Sequence, residues 1–127
     1  MKIDGKEFII KLNEKSYHCV MDVTMDYLGG KWKTVVLWYL IKDKKRFGEL
    51  RKLVPQMTER MLSITLSQLE TDGLVKREVF TEKPPLKVEY SLTDFGKTMI
   101  PVLESIALWG RNLATTEGVI LEDVKVK

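Results

Sequence analysis

Arg60, Ser63, Ile64, Ser67 and Gln68 are spaced so that a helix through them turns all five side chains to one side. At 100° per residue, Leu62, Leu66 and Leu69 fall within about 60° of one another and mark the opposite, buried side. The outer side also carries Thr71 and no acidic residue, although Glu59 and Glu70 flank it. This is chemistry suited to the major groove of DNA. Arg or Gln makes paired hydrogen bonds to base edges, Ser reaches bases or phosphates, and Ile packs on a thymine methyl. The competing reading is a solvated helix face with one stray Ile.

Charge points the same way. Between Lys31 and Lys52 stand eight basic residues and two acidic ones, a local net of +6. The rest of the chain holds thirteen basic and sixteen acidic residues, a net of −3. A concentrated basic surface attracts a phosphate backbone through Coulomb interaction and counterion release. A solvated Lys-rich loop at Lys42–Arg46 is the plainer alternative.

Other chemistries find little footing. One Cys (Cys19) and one His (His18) rule out an intramolecular disulfide and a zinc site of the Cys/His type. There is no nucleophile elbow or Gly-rich phosphate loop, and Gly29-Gly30-Lys31-Trp32 lacks the spacing of a Walker loop. The expectation is a non-enzyme with no cofactor. No apolar run approaches the roughly 18–20 residues that cross a bilayer. The first six residues hold no apolar signal region. A cytoplasmic protein with no membrane partner is expected.

The elements that must position these residues follow from periodicity. Residues 1–18 read as an arm, with a short strand over 7–12. Helices are predicted over 19–28, 31–41 and 47–54, with Gly29-Gly30 ending the first through a left-handed C-terminal conformation. Pro55 stops the third. Thr58 caps the helix over 59–72, and Gly73 closes it. The period then changes to two. Residues 74–80 and 87–92 alternate, and the loop Thr81–Leu86 with Pro84-Pro85 joins them as a hairpin. Thr93-Asp94 caps a last helix to about 115, kinked at Pro101. Residues 117–127 are a tail. Helix, helix, short helix, helix, hairpin, helix is the order of a winged helix-turn-helix. The fold class is therefore α+β, mostly α, in one domain over 1–127. Residues 19–92 form the helix-turn-helix and wing, and 93–116 a dimerisation helix.

The helix over 59–72 is then the recognition helix and the hairpin the wing. The DNA-contact candidates are Lys44, Lys45, Arg46, Arg51, Thr58, Arg60, Ser63, Ile64, Ser67, Gln68 and Lys76, with Lys83 and Lys87 near the wing tip. The two prolines limit the tip's freedom, so less entropy is lost on docking. A plain surface hairpin is the alternative, since Glu82 and Glu89 offset the lysines.

Several motifs stand in one order: Leu28-Gly29-Gly30-Lys31-Trp32, Arg46-Phe47-Gly48-Glu49-Leu50-Arg51, Met61-Leu62, Leu69 through Arg77, Pro84-Pro85, Val88 through Gly96, Pro101-Val102-Leu103 and Trp109-Gly110. In them the chain resembles the HxlR-type transcriptional regulators, winged-helix proteins similar to the MarR group. The resemblance implies a homodimer built on terminal helices, with two recognition helices reading a pseudo-palindromic operator in double-stranded DNA, more often as a repressor than as an activator. The last helix supports pairing independently, because it is apolar around much of its circumference. A monomeric core helix is the alternative. A winged-helix module that binds protein and not DNA is the competing function, though such modules usually lose their basic face.

Cys19 opens the first predicted helix, where the dipole favours a thiolate. Many HxlR-like proteins carry a Cys there, and in some it senses quinones, aldehydes or oxidants. Where the family pattern has Pro next, this chain has Val20, and Asp22 one turn on opposes thiolate formation. Cys19 is thus a candidate redox or electrophile sensor, with a small buried hydrophobe as the commoner outcome. A small aromatic effector near Tyr27, Trp32, Trp38 or Trp109 is the remaining route, and those residues also read as core.

Overall fold

The computed structural model describes residues 2–7 and 9–118. Two small antiparallel hairpins come first: β1 (Lys2–Ile3) with β2 (Lys6–Glu7), then β3 (Ile10–Leu12) with β4 (Lys15–Tyr17). The strand expected over 7–12 is present over Ile10–Leu12, while Phe8, Met1 and residues 119–127 of the predicted tail lie outside the described residues. Helices α1 (Val20–Leu28), α2 (Lys31–Leu40), α3 (Phe47–Leu53) and α4 (Glu59–Thr71) follow, each within two residues of its predicted bounds. Next come β5 (Val75–Val79), β6 (Val88–Leu92), α5 (Asp94–Lys97) and α6 (Ile100–Thr116). This is a winged helix-turn-helix with a two-stranded wing and a long C-terminal helix.

The core forms where apolar faces of all these helices meet. Val36, Leu37 and Leu40 of α2 are buried with Leu62, Leu66 and Leu69 of α4, and Leu50 of α3 closes the group. Leu74, Val75 and Leu92 bring in the base of the wing, and Leu103 brings in α6. Burying one such side chain contributes about 1.5–3 kcal/mol. Thr65, which the leucine pattern did not mark, is buried with that face of α4.

The ends of α4 are well determined. Thr58 Oγ1 accepts from the Met61 amide at 3.0 Å. Gly73 (φ +78°) ends the helix, with its amide donating to the Glu70 carbonyl and the Leu74 amide donating to the Leu69 carbonyl, both at 3.0 Å. That pair of bonds turns the chain sharply into β5. The end of α1 differs from expectation. Gly29 has φ −53° and ψ 146°, so it leaves the helix in an extended conformation, and the positive φ belongs to Gly30, the cap residue before α2.

The wing pairs Val75 with Leu92 through to Val79 with Val88. Only Val75 of β5 is buried, because beyond it the hairpin leaves the body of the domain. The alternation of 74–80 therefore marks a strand without a second buried face. A third segment joins this sheet: Lys45 and Tyr90 exchange backbone hydrogen bonds at 2.9 and 2.8 Å, fixing the loop after α2 to β6.

The last helix is two helices. Pro101 was expected to kink one continuous helix, but α5 stops at Lys97 and α6 begins at Ile100 with Pro101 in its first turn. There the missing N–H costs nothing and the ring blocks helix continuing from the preceding turn. Thr93 joins this corner to the wing. Its amide donates to the Leu74 carbonyl at 3.1 Å, its hydroxyl donates to the Gly73 carbonyl at 2.5 Å and it accepts from the Gly96 amide at 2.9 Å.

Gly96 is buried against the backbone of Leu74, and a Cβ at this position would collide with the Leu74 carbonyl oxygen. Backbone cannot retreat as a flexible side chain can. Gly96→Ala should therefore destabilise the fold by about 3 kcal/mol or more, at the upper end of single substitutions. Gly48→Ala, where nothing lies within 4 Å, serves as the control. Equal denaturant midpoints for the two variants would contradict this packing.

Candidate nucleic-acid interface

The seating of α4 decides which of its residues reach solvent. With the leucine face sealed, Arg60, Ser63, Ile64, Ser67, Gln68 and Thr71 are all exposed on the outside. Ile64 keeps 48% of its surface exposed on a polar face, as its spacing predicted. Ser63, Ile64, Ser67, Gln68 and Thr71 line an open groove of about 440 Å³, and Lys15 and Asp26 line it from the N-terminal side. Lys33 lies there too, paired with Asp72 at 3.0 Å.

The predicted basic residues divide into two groups. Arg46, Arg60 and Lys83 are exposed, and among the described residues no carboxylate pairs with them. Arg46 precedes α3, where its amide donates to Glu49 Oε1 at 2.8 Å and leaves the guanidinium outside. The others are engaged. Arg51 donates from Nη1 to the Met57 carbonyl and so pins the turn between α3 and α4. Lys45 Nζ pairs with Asp43, and its side chain is only 17% exposed. Lys44 Nζ lies 3.0 Å from Glu89 Oε2 and 5.2 Å from the centre of the Phe80 ring. Lys87 approaches Glu89 Oε1 at 3.8 Å, and Lys76 approaches Glu78 at 3.4 Å. Thr58 is exposed at the start of α4 with its oxygen already capping the helix.

Two sets of residues were missed by pattern alone. Lys15 and Lys33 flank the outer face of α4 from elsewhere in the chain, and no local spacing signals that. Glu89 sits at an alternating position of β6, yet its side chain is only 11% exposed. Lys87, two residues before it on the approach to β6, was the available hint.

Cys19 is half-buried in extended backbone (φ −161°) just before α1, and its carbonyl accepts from the Val23 amide at 3.2 Å. Asp22 Oδ2 accepts from the His18 amide at 2.9 Å, which satisfies one donor ahead of the helix. Of the aromatic residues named as a ligand site or core, Tyr27 and Trp32 pack on the core, whereas Trp38 is partly exposed and Trp109 is 69% exposed.

A sealed inner face, a short polar outer face on the second helix of a helix-turn-helix and a hairpin beside it define a DNA-binding transcriptional regulator. Residues 27–117 match the HxlR-like helix-turn-helix family, and the chain belongs to it. The HTH-type transcriptional regulator YdeP of Bacillus subtilis is 52% identical over 92 residues, covering 72% of this chain and 71% of that protein. Among solved structures, the redox regulator HypR in its reduced form superimposes with a TM-score of 0.71 at 45% identity, covering 73% of this chain and 91% of that one. The reduced form of the transcriptional regulator YodB from B. subtilis gives 0.65 at 29% identity, covering 78% and 95%. These relatives are regulators and not enzymes, and so is this protein. Among the described residues, no helix is long and apolar enough to cross a membrane.

On the N-terminal side of the groove, Tyr17 Oη donates a hydrogen bond to Asp26 Oδ2 at 2.5 Å, and Lys15 Nζ lies 3.6 Å from the same oxygen. That bond, with burial and the Asp26 charge, pushes the phenol up to about 12. The same bond holds the Asp26 carboxyl below the usual carboxylate range, against a smaller effect of burial. Both directions have a stability consequence. The Tyr17 contribution is complete below pH 10.0, the ordinary phenol value, and is lost as pH rises through about 12. The Asp26 contribution is present above pH 3.8 and is lost as pH falls through its lowered value. Tyr17→Phe should therefore speed amide exchange across Ile10–Tyr17 at neutral pH while α4 keeps its protection. Unchanged exchange in that segment would show that packing alone holds the hairpin.

Proposed function

We propose that the protein is a homodimeric repressor that reads a pseudo-palindromic operator through α4 and is switched at Cys19 or by a small ligand. The observation that carries the reading is the outer face of α4: Arg60, Ser63, Ile64, Ser67 and Gln68 are exposed together while the leucines beneath them are buried. Arg60 and Gln68 supply paired hydrogen bonds to base edges, and Ile64 supplies apolar contact to a thymine methyl. Arg46 at the start of α3 and Lys83 at the wing tip supply phosphate contacts on either side. Its place of work is the cytoplasm, with the DNA.

Pairing is supported by unpartnered apolar surface. Along α6, Val102, Ile106, Leu108, Trp109 and Leu113 are exposed, and Val20, Met21 and Met25 are exposed on α1. This is more apolar surface than a lone helix keeps in water. A two-fold pair would present two α4 helices to successive major-groove faces, and binding both half-sites at once multiplies affinity.

Switching is supported by the relatives and by position. HypR is a redox regulator seen in reduced and oxidised forms, and YodB is seen quinone-bound and diamide-treated. Cys19 lies at the start of α1, just before the exposed Val20 and Met21. Adding an electrophile to Sγ, or oxidising it, would alter the surface on which the subunits meet. An apolar groove of about 280 Å³ between α2 and α6, lined by Trp38, Tyr39 and Ile106, offers the alternative seat for a small aromatic effector.

Mobility shifts on genomic fragments recovered with the protein test the central reading. Arg60→Ala should weaken operator binding by about 1–3 kcal/mol and relax base preference. Equal weakening on every sequence would restrict Arg60 to phosphate. No shift even at low salt would favour an interaction module that does not bind DNA. Trp109→Glu should give monomers by sedimentation and lose operator binding, and a dimer unchanged by it would place the interface elsewhere. Cys19→Ser should leave binding intact and abolish its response to diamide or quinone. A retained response would remove the thiol from the switch.

A further inference from the structure

Glu89 is the one buried carboxylate of the wing among the described residues, and it faces two lysines that charge alone assigns to DNA. Its side chain is 11% exposed, while those of Lys44 and Lys87 are 59% and 50% exposed. Oε2 is fully covered and accepts no hydrogen bond, so the ammonium of Lys44 at 3.0 Å is its counter-charge. Oε1 has Lys87 at 3.8 Å. Directly across the ladder stands Glu78, a like charge at a paired position, itself offset by Lys76. Like charges opposed across strands are destabilising, so Glu89 depends on its lysines twice over. The neighbouring residue Tyr90 anchors the loop bearing Lys44 through the Lys45 backbone bonds, and Phe80 holds the Lys44 ammonium over its ring.

We propose that Glu89 is a positioning residue that retains Lys44 and Lys87 on the wing and so keeps them off the phosphates. The inference rests on the wing lying against DNA, as proposed above. Turning Lys44 to a phosphate leaves Oε2 without its counter-charge, turning Lys87 leaves Oε1 without its own, and a buried carboxylate that loses a partner beside a like charge is costly. The exposed Lys76–Glu78 pair carries no such penalty and exchanges freely with phosphate. The result is a wing with muted attraction for phosphate. Phosphate contacts carry no sequence information, so a muted wing leaves discrimination to α4. Glu89 thereby widens the gap between operator and random DNA.

The experiment measures binding to a labelled random-sequence duplex across a salt series. Wild type, Glu89→Gln, Glu82→Gln and Lys44→Ala/Lys87→Ala are compared, with helicity checked for each. Glu82→Gln makes the same charge change at an exposed wing position. Each phosphate contact adds about 0.9 to the slope of log affinity against log salt. Glu89→Gln should steepen the slope by about one to two and bind random duplex roughly tenfold tighter at low salt, well beyond Glu82→Gln. The double lysine variant should keep the wild-type slope within about half a unit. A slope unchanged in Glu89→Gln, or no steeper than in Glu82→Gln, overturns the proposal. So does a double lysine variant whose slope flattens by about two. If Glu89→Gln does not fold, the double lysine variant decides alone. If wild type ignores duplex at low salt, the DNA reading fails separately, and later elution of Glu89→Gln than of Glu82→Gln from heparin still decides whether the lysines were held.

Discussion

Packing of Leu62, Leu66 and Leu69 against Val36, Leu37 and Leu40 fixes the rotation of α4 about its own axis. These six side chains are nearly inaccessible, so α4 cannot turn without opening the core. A helix turned by one residue, 100°, would put Ser63 and Ser67 inward and a leucine outward. Base reading needs side chains placed to within a few tenths of an ångström, and a surface helix can offer that only if its other face is locked. The cap at Thr58 and the turn at Gly73 fix α4 along its axis in the same way. The outer face of α4 is therefore specified from inside the protein, by groups buried in its core.

Electrostatics then sorts residues that sequence treats alike. Of the predicted basic contacts, Arg51 and Lys45 serve the architecture of the α3–α4 turn and the loop before α3, and Lys44, Lys76 and Lys87 face carboxylates. Those that remain outward, Arg46, Arg60 and Lys83, stand at the start of α3, the start of α4 and the wing tip. Of the net +6 between Lys31 and Lys52, only Lys33 and Lys44 pair with carboxylates outside that stretch among the described residues, Asp72 and Glu89, so 6 − 2 = +4 remains there. Paired charges cancel within a Debye length, and only the unpaired ones project.

The fold was legible because its signals are local. Leucine spacing, the Thr58 and Gly73 caps and the change of period at residue 74 each follow from neighbours in sequence. What failed to show was set by distance or by exact placement. Gly29-Gly30 announced a helix end but not which glycine takes the positive φ. Pro101 fits either a kink or a first turn, and the structure puts a turn at Thr98 and Met99 ahead of it. Of the candidate site, the outer face of α4 was readable from a wheel. The approach of Lys15 and Lys33, and the burial of Glu89, depend on residues dozens of positions away.

The apolar surface left on α1 and α6 belongs to the same logic as the reading face. Only Leu103 of α6 is buried in the subunit, so most of that helix contributes little to folding a single chain. A sequence that keeps Val102, Ile106, Leu108, Trp109 and Leu113 on one long helix keeps an aggregation hazard unless a partner covers it. In the proposed dimer, a second copy would cover that surface and set the spacing between the two α4 helices at once. Cys19 precedes the exposed Val20 and Met21 at the start of α1. In the proposed pair, a chemical change at Cys19 would act on the pairing geometry, which is the route by which a thiol outside α4 would alter what α4 reads.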